Sequence, residues 1–137
     1  MKRLFFGIYL ALLAGNVLAQ ENSAIEVETL AKASSSWDGK ALPSYAKGQP
    51  EITILKIKIP PGEQLPWHSH PVINSGVLLN GELTVTTENN KVLHLKAGDS
   101  IVEVVNTGHY GKNEGSEPAE IIVFYAGALD EPITIKK

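Results

Sequence analysis

Residues 66–71 read Pro66-Trp67-His68-Ser69-His70-Pro71, two histidines one residue apart between two prolines. The whole chain has four histidines. On a β-strand, residues two apart point to the same face. His68 and His70 therefore present both imidazoles together, and Asn74 shares their parity if the strand continues past Pro71. A His-x-His pair can grip a divalent metal through two neutral nitrogens. His109 follows Asn106-Thr107-Gly108 at the start of a further expected strand. It offers a third nitrogen from a separate part of the chain.

The surroundings of the pair read as short strands punctuated by turns. Ile52 to Ile59 alternates, with Leu55, Ile57 and Ile59 on one face and Lys56 and Lys58 on the other. Pro60-Pro61-Gly62 stops it. Val77–Leu79 and Leu83–Thr87 flank Asn80-Gly81, a tight-hairpin signal. Val92–Leu95, Ile101–Val105 and Ile121–Ala126 follow, each entered through a turn. Nothing after the first residues reads as a long amphipathic helix. Closely spaced short strands predict an all-β sandwich or barrel.

Other features bound the function. With 137 residues, 43% hydrophobic and 20% charged, the chain is sized for one globular domain. It has no cysteine, which excludes disulfides, thiolate metal sites and a cysteine nucleophile. A net charge of −3 and no basic run in the body give no support to nucleic-acid binding. Met1-Lys2-Arg3, the apolar run Leu4–Ala14 and the small residues Val17 and Ala19 read as a secretory signal peptide over residues 1–19. An N-terminal membrane anchor is the alternative. On the signal reading the protein is periplasmic or secreted, with no stable membrane association after cleavage. Residues 20–50 are expected as an N-terminal strand and loop segment, and 51–137 as the β-barrel. Within the former, Ile25–Leu30 is the candidate edge strand, and Trp37–Pro50 a loop at one rim, able to cover the barrel mouth.

Two spaced motifs carry a family resemblance. Gly62, five residues, His68-Ser69-His70, then Asn74 and Gly81 resemble the first motif of the cupin family, with Asn74 where that family usually has Glu. Gly98, His109 and Asn113 are similar to its second motif, with Val104 and Asn106 replacing a Pro and a Gly at intact spacing. The resemblance covers about residues 51–126. It implies a double-stranded β-helix, or jelly-roll barrel, with a metal at its centre held by His68, His70 and His109. Asn74 either binds weakly as a fourth ligand or hydrogen-bonds a bound water or substrate. The resemblance implies a divalent transition metal, with iron, zinc, nickel and manganese all open. Small cupins also commonly pair, which implies a homodimer.

A neutral three-histidine centre leaves the metal's charge uncompensated and favours a small anionic ligand. Some cupin dioxygenases use three histidines with iron, so the resemblance implies a metal-dependent oxygenase or related enzyme. The other class is a non-catalytic periplasmic module that binds a small molecule or metal. Glu103 interrupts the apolar run Ile101-Val102-Glu103-Val104-Val105. It is either a catalytic base or partner beside the metal, or a strand residue facing solvent. Trp67 and Tyr110 should point away from their histidine neighbours, Tyr110 into the core. His94, between Leu93 and Leu95, should face solvent and bind nothing.

Overall fold

The computed structural model describes residues 24–137, so the expected leader over 1–19 lies outside the described residues. Nine strands form: β1 (Pro50–Ile59), β2 (His68–Ser69), β3 (Ile73–Asn80), β4 (Glu82–Thr87), β5 (Val92–Lys96), β6 (Ser100–Val102), β7 (His109–Lys112), β8 (Ala119–Ala128) and β9 (Ile135–Lys136). Among the described residues there is no helix. The strands make two antiparallel sheets, ordered β1-β8-β3-β6 and β5-β4-β7-β2-β9. This is the all-β jelly roll that the strand pattern and the two motifs imply.

The side-chain alternation explains why two layers close on each other. In β3, Asn74, Gly76 and Leu78 are buried while Ile73, Ser75 and Val77 are half-exposed. In β8, Ile121, Val123 and Tyr125 point inward. Leu83 and Val85 of β4 and Leu95 of β5 do the same from the other sheet. With Ile59, Leu78 and Ile101 they make one core between the layers. Burying each such aliphatic side chain contributes about 1.5–3 kcal/mol.

The Asn80-Gly81 turn joins β3 to β4, but the two strands do not pair as the expected hairpin: β3 lies between β8 and β6 in one sheet and β4 between β5 and β7 in the other, so the turn passes the chain between layers. Gly81 sits at φ +73°, and a Cβ there would approach the Pro118 carbonyl oxygen to 2.6 Å. Both the backbone conformation and the close approach require glycine.

Four further local expectations differ from the structure. Ile57 and Ile59 turn inward opposite Lys56 and Lys58, but Leu55 is 36% exposed, because β1 is an edge strand with a neighbour on one side. Ile25–Leu30 forms no strand; the Leu30 carbonyl accepts a hydrogen bond from Ser100 Oγ at 2.7 Å. The run Ile101–Val105 pairs as strand only to Val102. Beyond it the chain bends through Asn106, at φ +56°, whose N–H reaches the His70 carbonyl at 2.8 Å. Tyr110 points away from His109, as expected, but rests half-buried against Trp67, ring centroids 4.7 Å apart, outside the core.

Candidate metal centre

His68 in β2 and His109 in β7 are direct cross-strand partners. Antiparallel pairing brings side chains at such positions within about 5.5 Å of each other. His70 lies just past the end of β2, with the same inward parity. The three rings converge with centroids 4.5–5.0 Å apart. One nitrogen from each lies within 4.8 Å of the other two. His70 and His109 are 5% and 2% exposed, and His68 is half-buried.

The orientation of the rings is set from behind. His68 Nδ1 lies 2.7 Å from the Pro66 carbonyl oxygen, His70 Nδ1 2.8 Å from that of Ile133, and His109 Nδ1 2.9 Å from that of Thr107. A carbonyl only accepts, so each Nδ1 carries the proton and donates it. Each Nε2 is left as a bare lone pair directed to the common centre, the arrangement that metal-binding histidines use. Burial lowers the His70 pKa to about 4, against the hydrogen bond to Ile133, and His109 and His68 push it the same way as burial. Burial also holds His68 below the ordinary histidine value. Both therefore stay neutral, and able to coordinate, at pH 7.

Asn74, 2% exposed, lines the same cavity from β3. Its Nδ2 donates to the Val72 carbonyl at 3.3 Å, while its Oδ1 is buried with no hydrogen-bond partner among the described residues. A buried amide oxygen without a donor costs about 1–3 kcal/mol. A cation or its bound ligand in the cavity would relieve that cost. Three free imidazole nitrogens and an orphaned amide oxygen thus fit a divalent transition metal.

Glu103 is 8% exposed and lines the cavity, so of its two sequence readings the solvent-facing one is excluded. Its Oε1 accepts from Trp37 Nε1 at 2.9 Å and from the Val104 N–H at 2.8 Å. Its Oε2 lies 3.8 Å from His109 Nε2. The rest of the cavity, about 60 Å³, is walled by aliphatic side chains and by Tyr125, whose ring centroid is 5.2 Å from that of His70. Burial raises the Tyr125 phenol pKa, with the Glu103 charge acting in the same direction, so the tyrosine is a neutral donor. His94 is exposed on β5, 3.0 Å from Thr84 Oγ1, and takes no part. Asn113 is wholly buried and satisfied: its Nδ2 donates to the carbonyls of Ile59 and Glu117, and its Oδ1 accepts from Gly115. Its role is to tie loops together.

Two contributors were not legible as site residues. Tyr125 was hidden in an apolar strand, Ile121–Ala126. The C-terminal tail places the Ile133 carbonyl on His70 and pairs β9 with β2. A backbone acceptor leaves no trace in side-chain pattern.

The model of the cupin domain family matches residues 55–125, and the chain belongs to that family. It is a cupin with a cluster of three histidines that could hold a metal ion. No curated protein matches it. Among solved structures, the oxalate decarboxylase of Lactobacillus farciminis, in a formate complex, is 24% identical with a TM-score of 0.55, over 62% of this chain and 26% of that one. The DMSP lyase DddQ of Ruegeria pomeroyi is 21% identical with a TM-score of 0.55, over 63% of this chain and 43% of that one. A Bacillus subtilis oxalate decarboxylase with Mn(II) centres is 21% identical at TM-score 0.55, over 62% of this chain and 23% of that one. The chain thus spans less than half the length of these enzymes, and the likeness is one of fold.

Proposed function

We propose that this cupin binds a divalent transition metal through His68, His70 and His109 and acts on a small anionic molecule beside it, as an oxygenase or a related metal-dependent enzyme. The observation that carries this reading is the convergence of three Nε2 donors, each ring locked by a backbone carbonyl, in a buried and otherwise apolar cavity. Iron, manganese, nickel and zinc all accept imidazole nitrogens. Such an ion supplies Lewis-acid chemistry, and iron or manganese adds one-electron chemistry. The neighbouring enzymes include one crystallised with formate, which supports a small carboxylate-like ligand.

The chain's own residues divide the remaining work. The apolar walls Ile57, Leu83, Val85 and Val123 exclude bulk water and limit the substrate to a few heavy atoms. Asn74 Oδ1 orients a donor on the bound molecule. Glu103 Oε2 stands at the cavity wall as the acceptor for a substrate proton. The Tyr125 hydroxyl is a neutral donor from β8, where Tyr125 is the cross-strand partner of Asn74.

The protein is exported to the periplasm or beyond, on the strength of its basic start and apolar run at residues 2–14. It works as a homodimer. Ile52, Ile54 and Phe124, 62%, 58% and 43% exposed, lie on one face of the β1–β8 pair, with Ile54 opposite Phe124. A second copy would cover that face. Light scattering showing a monomer at high micromolar concentration would remove the dimer.

Oxygen uptake by the iron-loaded protein across a panel of enols, catechols and small carboxylates tests the enzymatic reading. Turnover of one class, lost in His109→Ala, supports it. Binding of a panel member without turnover under any metal assigns the protein to the binding modules instead.

A further inference from the structure

The inner face of the barrel is stacked in rungs, and the strand register shows what lies next to the histidines. Two residues along a strand advance about 6.8 Å on the same face. In one rung stand His109 with its partner His68, and Asn74 with its partner Tyr125. One rung further, Gly111 pairs with Val85, and Gly76 pairs with Val123 and Ile101. Gly111, Val85, Val123 and Ile101 of this second rung line the cavity, and none of them has a polar side chain. The backbone at Gly111 is not left-handed, so no turn requires glycine there. What glycine provides is space: a Cβ on it would stand 3.2 Å from Leu83 Cδ1 and 3.7 Å from Leu65 Cδ1, the free ends of two cavity-wall side chains.

The cavity is thus polar at one rung and apolar at the next, and its polar rung has a fixed charge count. Glu103 is the one carboxylate lining the cavity, and no Lys or Arg among the described residues joins it. A divalent ion held by neutral histidines brings two positive charges, of which Glu103 offsets one. A ligand with a single negative charge leaves the site neutral. A ligand with two leaves a charge uncompensated, which an apolar enclosure penalises heavily. Asn74 Oδ1, without a donor of its own, and Glu103 Oε2 are both acceptors, so a second carboxylate would meet lone pairs in place of N–H or O–H groups. Volume sets the ligand's length. A cavity of about 60 Å³ holds about four to six groups the size of water, the ion among them.

Resting on the metal-binding reading above, we propose that the site selects a small organic acid with one negative charge and a short apolar tail, and that Gly111 is the residue that admits the tail. The charged head stays at the histidine rung. A tail of about one or two carbons, the length the volume leaves, enters the space between Gly111, Val85 and Val123. Acids of the acetate and propionate kind meet both conditions. Dianions of equal size fail the charge count.

The test varies tail and charge separately. Co²⁺-loaded protein is titrated calorimetrically with formate, acetate and propionate, and the visible cobalt spectrum is followed. In wild type each added carbon should tighten binding about fourfold. Methanesulfonate should displace propionate. Sulfate, of the same shape but with a second charge in place of the methyl group, should need at least about tenfold more to do so. Gly111→Ala should flatten the series, so that propionate loses its advantage over formate. Should that variant not fold, the wild-type acids remain the deciding comparison. The proposal is overturned if wild-type affinity does not rise from formate to propionate, or if folded Gly111→Ala keeps the wild-type series. It is also overturned if sulfate competes as well as methanesulfonate, or if methanesulfonate does not compete. In those cases cobalt held by wild type and lost from His109→Ala would leave the three-histidine reading standing. Wild-type protein that takes up no Co²⁺ would sink both.

Discussion

His70 should make the metal-free protein sensitive to acid in a calculable way. Burial lowers its pKa from 6.5 to about 4 in the folded state. The unfolded chain therefore binds a proton on this residue between those two values and the folded chain does not. A depressed folded pKa contributes stability that is complete above pH 6.5 and is lost as pH falls toward 4. Between pH 7 and pH 4.5 the loss from His70 alone is about 2.5 kcal/mol, a large share of the 5–15 kcal/mol that holds a typical domain together. His68 is shifted in the same direction and adds to it. The assay is urea unfolding of chelator-treated protein at both pH values, for wild type and for His70→Gln. Glutamine cannot take up the proton, so the variant should lose about 2.5 kcal/mol less across the interval, whatever its absolute stability. Carboxylates with lowered pKa values, such as Glu120 beside Lys56, titrate alike in both proteins and cancel. Equal losses in the two proteins would refute the reasoning.

Three further outcomes are expected. Gly81→Ala should destabilise by about 2 kcal/mol or more, since it must place a Cβ at φ +73° against the Pro118 carbonyl; an unchanged thermal midpoint would contradict this. Trp37→Phe should cost about 1–3 kcal/mol in denaturant unfolding by stripping a donor from the buried Glu103 carboxylate, and no loss would show that the contact carries nothing. Removing residues 133–137 should weaken metal binding about 10–100-fold by calorimetry, because the Ile133 carbonyl holds the His70 ring; full affinity in the truncated chain would dismiss the tail's role.

Much of the site was legible because strand parity is a strong constraint. His68 and His70 had to share a face; the Asn80-Gly81 turn was legible, but not that it carries the chain from one sheet to the other instead of closing a hairpin. His109 was found by its spacing from Gly98 and Asn113. What pattern could not show was where pairing ends. Ile101–Val105 looks uniform, yet only its first two residues belong to a strand. Glu103 stays buried past the strand end because its N–H still bonds Asn74 and its carboxylate is tied to Trp37. The Trp37–Pro50 loop was expected as a cover over the barrel mouth. Trp37 does reach Glu103, but Tyr45 is 77% exposed and packs on nothing. The edge strand expected at Ile25–Leu30 had no unpaired neighbour dictated by sequence, and its residues stay exposed.

The central claim is that three histidines make one metal centre. Metal content by mass spectrometry of protein purified from its own compartment, at neutral pH, tests it most directly when paired with single variants. The account predicts stoichiometric binding of a first-row transition metal in wild type, retained in His94→Ala, whose ring lies exposed on β5, and abolished in His68→Ala and His109→Ala. Wild-type protein free of such metals, or equal loss from His94→Ala and His109→Ala, would contradict it.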